Sequence, residues 1–219
     1  MSKQLVAALL LIAFVAAPVG ADTISYPDSE SSQFFFTNLT ETSLNDTLPL
    51  FGDPIVNGNN LEFGEPGFLA FASGGPFEFI DGRLTVTVTS KDGDSITGFE
   101  LLETGTYEGT GVDLDIFVSG IGFATADGEI YQDDFQFTRN TAGSGIWNGA
   151  INIEFDNPVD SFSFVVDNQL FVRGGSESAA TVNKDNIRLT VNTTTAIPEA
   201  STAVLIFGAA FAGGFIRRR

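Results

Sequence analysis

The run Leu84–Thr89 reads LTVTVT, apolar and hydroxyl-bearing residues in strict alternation. Successive side chains of an extended chain point to opposite faces, so this period sorts into one apolar and one wet surface only on a β-strand. The same pattern returns in Val112–Val118 (VDLDIFV), Phe135–Phe137 (FQF), Ile151–Phe155 (INIEF), Phe162–Val166 (FSFVV) and Ile187–Val191 (IRLTV). Turn-forming residues fall between the runs: Asp53-Pro54, Asn57-Gly58, Gly74-Gly75-Pro76, Asp81-Gly82, Asp92-Gly93, Asp127-Gly128, Asn157-Pro158 and Gly174-Gly175. Asx-Gly pairs supply the positive backbone angles that tight hairpins need. No stretch between the two ends of the chain holds a 3.6-residue period. The pattern predicts an all-β fold, an antiparallel β-sandwich of which a jelly roll is one form. Most of the 22 phenylalanines sit on alternating runs and are expected in its core.

Composition excludes much chemistry. The chain has 219 residues, no cysteine and no histidine. A Ser-His-Asp triad, a cysteine nucleophile and His- or Cys-ligated zinc are therefore ruled out. No disulfide can help, so a hydrophobic core must carry stability alone. Of 10 basic residues, Lys3, Arg217, Arg218 and Arg219 lie near the ends, as does Glu199 of the 28 acidic ones. The body, residues 22–196, is left at about −21. Such a charge excludes nucleic acid as a partner, which needs clustered Lys and Arg, and disfavours an anionic leaflet. It also favours solubility.

The chain's ends carry targeting patterns. Lys3 precedes an apolar run of eleven residues, Leu5–Val15, and Val19-Gly20-Ala21 places small side chains where a signal peptidase reads. The run is too short to span a bilayer, so residues 1–21 are expected to be a signal peptide cut after Ala21. At the other end, Pro198-Glu199 precedes the apolar stretch Ala203–Ile216 and then Arg217, Arg218 and Arg219. As a helix that stretch is roughly 21 Å long against a ~30 Å hydrocarbon core, a marginal span with arginines placed to hold a cytoplasmic surface. Pro198 stops such a helix from running back into the small, polar stretch 192–197, read as a linker.

This order of Pro-Glu, short apolar helix and basic cluster resembles the PEP-CTERM sorting signal of Gram-negative bacteria, over residues 198–219. Ala200 stands where that family usually has a second proline. More loosely, Asn157–Asp160, Val166–Leu170 and Lys184–Ile187 are similar to the final strands of the β-sandwich bodies common among such proteins. The resemblance implies that an exosortase, an integral-membrane cysteine transpeptidase-like enzyme, recognises Pro198 and Glu199 and cuts near them. Insertion in the inner membrane would be transient, and residues 22–191 would be the exported body, delivered to the cell surface or beyond. Signal peptidase and exosortase are then the partners during export, with extracellular polysaccharide a further one.

Within the body the expected role is structural or interactive, without catalysis. One alternative is a carbohydrate-binding, lectin-like module assisted by calcium; another is a glycoside hydrolase or lyase working with a carboxylate pair. The paired acids are Glu100/Glu103, Asp113/Asp115, Asp133/Asp134 and Glu154/Asp156. Alternate residues of a strand lie roughly 7 Å apart, within the span that glycosidic chemistry uses, which suits Asp113/Asp115 and Glu154/Asp156. A calcium site has two candidates. Asp92-Gly93-Asp94-Ser95 departs from a hand-type loop at Ile96 and Thr97, and Asp127-Gly128-Glu129 with Asp133 and Asp134 is a looser cluster. Trp147, Tyr107, Tyr131 and Tyr26 are nominees for a sugar-stacking platform, Trp147 equally for an interior filler. Asn38, Asn45 and Asn192 open Asn-x-Thr sequons.

Overall fold

The computed structural model describes residues 21–44, 46–91 and 95–194. All of its regular structure is β. The strands are β1 (Asp22–Ser25), β2 (Ser29–Glu30), β3 (Phe34–Ser43), β4 (Asp53–Asn57), β5 (Asn60–Gly64), β6 (Leu69–Ser73) and β7 (Phe77–Ser90), followed by β8 (Ser95–Thr110), β9 (Asp115–Ala126), β10 (Glu129–Arg139), β11 (Gly143–Val159), β12 (Ser161–Arg173) and β13 (Ala179–Thr194). They form two sheets in which every pairing is antiparallel. The first runs β1-β3-β7-β12-β9-β10, with β2 on β3; the second runs β11-β8-β13-β5-β4, with β6 on β13. Among the described residues no helix is long and apolar enough to cross a membrane. The segments expected to be a signal peptide, apart from Ala21, and a sorting signal lie outside the described residues.

Alternation does the sorting. In β12, Phe162, Phe164, Val166, Leu170 and Val172 are buried while Ser161, Ser163 and Arg173 are exposed. In β8 the buried phase is Ile96, Phe99, Leu101 and Glu103. Buried residues from both sheets form one continuous core, centred on aromatic contacts. Phe99 lies parallel to Phe162 at 4.8 Å and edge-on to Phe164 at 4.6 Å, so a ring from the second sheet meets two from the first. Such sheet-on-sheet contact buries apolar area at roughly 25 cal/mol per Å².

Several turn signals are not turns. Asn57-Gly58 and Asp127-Gly128 do close the β4–β5 and β9–β10 hairpins, with Asp127 at φ 50° and Gly128 at φ 83°. Asp81-Gly82, by contrast, lies inside β7. Gly82 is there for space: a Cβ would stand 2.7 Å from the Phe68 ring. Asp53-Pro54 opens β4, an outer strand of its sheet where a missing N–H is tolerated. Asn157-Pro158 sits in the irregular end of β11, where the register shifts between Glu154 and Val159. The expected strand over Val112–Val118 begins only at Asp115; Val112 is exposed and Asp113 is a loop residue at φ 56°. Finally, β13 runs to Thr194, three residues past the expected domain end at 191, because Asn192, Thr193 and Thr194 keep pairing with Gly98, Ile96 and Ser95. Asp92-Gly93-Asp94 lies outside the described residues.

Candidate ligand-binding faces

Three of the four acid pairs separate in the fold. Glu100 and Glu103 are three residues apart, an odd step, so Glu100 faces outward on β8 and Glu103 is buried. Asp113 is in a loop, and Asp115 at the start of β9 binds Arg173 at 2.6 Å. Asp133 accepts a hydrogen bond from the Asn152 backbone N–H of β11 at 2.7 Å, while its neighbour Asp134 points to the other side of β10. Only Glu154 and Asp156 share a face, exposed on β11 at the end of its sheet. Among the described residues no three Asp or Glu groups converge as a metal site would need. Asp127-Gly128 serves as hairpin chemistry, and Glu129 accepts the Tyr131 hydroxyl at 2.9 Å, which raises the tyrosine above its ordinary value.

The aromatic nominees fare differently. Trp147 is 1% exposed and donates its indole N–H to the Asn183 carbonyl at 2.9 Å, so it fills the interior rather than forming a platform. Tyr26 is half-buried with its hydroxyl on Glu41 at 2.7 Å; burial, then Glu41, raises its ionisation well above the ordinary value. Tyr131 packs edge-on to Phe155. Tyr107 borders the groove described below. The sequon residue Asn38 has φ 53° and lies 3.4 Å from the Thr87 hydroxyl; Asn192 is exposed at the end of β13, and Asn45 lies outside the described residues.

Two outward faces carry features that composition alone did not single out. On the first sheet, register puts Phe79 opposite Phe171, and Phe171 opposite Phe117, across β7, β12 and β9. All three lie in the outward phase, opposite to the buried Ile80, Leu170 and Val118. Phe77, 68% exposed, stacks on Phe171 at 5.9 Å. The result is a row of phenylalanine rings on a sheet face, bordered by the Arg173–Asp115 pair. Parity along each strand was the signal: Phe79, Phe117 and Phe171 alternate against the apolar phase, not with it.

The outer face of the second sheet is a shallow groove with a volume of about 480 Å³. Across β11, β8, β13 and β6, one row reads Ile146, Thr106, Asn183, Leu69 and the next Ser144, Glu108, Thr181, Phe71. Hydroxyl, amide and carboxylate groups form the floor, and exposed apolar residues, Ile146 at 75% the most so, stand at both ends. The Asn183 carboxamide is fixed: its oxygen accepts the Thr106 hydroxyl at 2.5 Å and its nitrogen donates to Asp185 at 2.8 Å.

No protein-family model matches the chain, and no curated protein does. Solved structures give distant likenesses. A carbohydrate-binding module, TmCBM61 in complex with β-1,4-galactotriose, is 12% identical over 62% of this chain and 70% of its own, with a TM-score of 0.27. The enzymatically active domain of tailspike protein 4 of bacteriophage CBA120 is 11% identical over 79% of this chain but only 19% of its own, at 0.25. An arabinose-bound α-L-arabinofuranosidase is 13% identical over 76% of this chain and 25% of its own, at 0.21. At these TM-scores the likenesses assign neither a fold family nor an activity to the chain.

Proposed function

We propose that this chain is an exported, exosortase-processed protein of the cell surface or extracellular matrix, acting through contact rather than catalysis. Its fold on this reading is a β-sandwich wound as a jelly roll. From β6 to β13 every connection except the β9–β10 hairpin passes from one sheet to the other, which is how a double Greek key is wound. The interaction role rests on the row Phe77, Phe79, Phe171 and Phe117. Apolar rings set together on a wet sheet face cost solvation unless a partner covers them, and a contiguous apolar patch marks a docking surface. Export rests on the sequence at both ends, Ala21 in the first, Pro198, Glu199 and Arg217–Arg219 in the second. The test is the mass of the polypeptide recovered from its host. A mature chain that starts at Asp22 and lacks the arginine triplet is expected; retention of that triplet, or a cytosolic location, overturns the reading.

The groove on the second sheet favours a second reading, a carbohydrate-binding module. Hydroxyl, amide and carboxylate side chains between apolar ends suit a sugar's polar edge and apolar face. Binding to a glycan array, with and without chelator, separates this from a purely protein-directed role and tests calcium assistance. A flat response in both conditions removes it.

A further inference from the structure

Three of the polar side chains buried in the core meet one another. Each continues an apolar phase: Phe164, Val166, Asn168 on β12; Phe99, Leu101, Glu103 on β8; Ala180, Val182, Lys184 on β13. Their exposures are 1%, 0% and 2%. Glu103 holds both partners, one on each carboxylate oxygen. Lys184 Nζ lies 2.5 Å from Oε2, and Asn168 Nδ2 donates to Oε1 at 2.7 Å. Glu103 and Lys184 belong to the second sheet and Asn168 to the first, so the carboxylate gathers an amine and a carboxamide across the interface between sheets.

The surroundings are built around them. In the sheet, Asn168 is flanked by Gly82 and Gly120, and Lys184 pairs with Gly105. The missing side chains admit rings: Phe68 against Gly82, Phe135 against Gly120, Trp147 against Gly105. The Phe68 ring lies 4.5 Å from Lys184 Nζ. Meanwhile Asn168 Oδ1 is buried and accepts no hydrogen bond. An orphaned carbonyl oxygen in the core costs stability as a purely structural arrangement, and a buried ion pair is itself weak support for a fold. The arrangement has another use. The dry surroundings draw the Lys184 ammonium below its ordinary value by desolvation, with Glu103 acting in the opposite direction. That shift favours the neutral amine, the form that is nucleophilic.

We infer that Lys184 and Asn168 condense to an intramolecular isopeptide bond, with Glu103 moving the protons. Glu103 first takes a proton from the Lys184 ammonium, leaving a neutral amine and a neutral acid. The Nζ lone pair attacks Asn168 Cγ while Nδ2 stays on Glu103 Oε1, within reach of the proton it needs to leave. The tetrahedral intermediate collapses with loss of Nδ2. Nδ2 carries its two hydrogens and takes a third, given up by Nζ and relayed by Glu103, and departs as ammonia. One C–N bond forms, one breaks, no electron is lost or gained, and Nζ keeps one hydrogen as an amide. The product ties β13 to β12, one sheet to the other, in a chain with no cysteine to do so. This inference does not depend on the proposed export or ligand.

Tryptic digestion of the folded full chain reads the bond directly. Cleavage at Arg139, Arg173 and Arg188 leaves peptides 140–173 and 174–188 joined, uncut after Lys184 and lighter than their sum by one ammonia, about 17 Da. Lys184→Arg removes the nucleophile, Asn168→Ala removes the carbonyl, and Glu103→Gln removes the proton carrier at nearly constant volume; each is expected to return separate peptides. Far-ultraviolet circular dichroism and a cooperative urea transition establish that each variant has folded. Separate, unmodified peptides 140–173 and 174–184 from the folded parent protein overturn the proposal. A joined species in Glu103→Gln overturns the part given to Glu103.

Discussion

Asp167 and Asn168 are neighbours on β12; Asp167 is the carboxylate of one carboxylate–cation pair and Asn168 is bonded to another, but the two environments are opposites. Asp167 faces water, where it binds the Arg83 guanidinium through two hydrogen bonds at 2.6 and 3.1 Å; the side chains of that pair are 45% and 19% exposed. Asn168 faces inward onto Glu103–Lys184, both fully buried. Period-two geometry alone sends one residue to each side. In water the pair gains little, because solvent screens the charges and ordering long side chains costs entropy. In the core the same charges are costly to desolvate and strongly coupled, so their removal one at a time is severe. One strand thus separates charge that decorates from charge that commits the fold.

The largest effect should come from breaking the inner group unevenly. Lys184→Ala strands the Glu103 carboxylate in the core and is expected to cost at least about 3–5 kcal/mol in urea unfolding. The apolar replacement Glu103→Leu, Lys184→Met and Asn168→Leu, made together, should recover the part of that loss that comes from the stranded charge, since no polar group is then left unpaired, but not the part that comes from the missing cross-link. If the single and triple variants unfold at the same urea concentration, charge is not what sets the inner face apart.

Gly120→Ala disturbs the same region without touching a charge. A Cβ there would stand 2.4 Å from the Phe135 ring and 2.9 Å from Asn168 Oδ1, so either the ring lifts or the carboxamide turns. Overpacking of this kind costs about 1–3 kcal/mol. The change should appear both as a lowered urea midpoint and as an altered near-ultraviolet signal from Trp147, on which Phe135 stacks at 6.4 Å. A neutral result would mean that the glycine is not what lets ring and carboxamide share the space.

The sequence shows how these differences arise, up to a point. The alternations FSFVV and IRLTV announce strands and an inner phase, and the all-β fold with antiparallel sheets follows from them. Continuing the phase of Phe162 and Phe164 by two more steps already places Asn168 inside, and the phase of Phe99 and Leu101 places Glu103 there. Reading Glu100 and Glu103 as a pair ignored that parity. What no single strand reveals is register. That Phe79, Phe171 and Phe117 fall in one row, or that Glu103 meets Lys184 across a β13 irregularity between Lys184 and Asn186, depends on long-range pairing. Asp81-Gly82 misled because its glycine answers to the Phe68 ring, a tertiary neighbour, instead of a local turn.

A third test acts on the outer face through pH. The Asp81 carboxyl is raised above its ordinary 3.8, first by partial burial and then by the charge of Asp46, with the Leu44 backbone opposing. Its native state therefore holds the proton more tightly than the unfolded chain. That contribution is fully present below pH 3.8 and is lost as pH rises through the native value. Asp81→Asn removes the penalty on the ionised form. Its urea midpoint should exceed that of the parent at neutral pH and converge with it in acid. Midpoints that stay parallel across that window would show that Asp81 ionises as freely in the fold as outside it.

The smallest effect belongs to Arg83. Arg83→Ala breaks the two-bond contact with Asp167, yet Asp167 remains at the surface and water can replace the guanidinium. The expected loss is below about 1 kcal/mol, and it should shrink as salt rises from 0.05 to about 0.5 M and the screening length falls below ~10 Å. The same salt range should leave the effect of Lys184→Ala nearly unchanged, since mobile ions do not enter the core. The contrast between Asp167 and Asn168 fails if the two variants respond to salt alike; it stands if only the outer pair does, because the face of β12, and not the type of charge, then decides what an ion pair is worth.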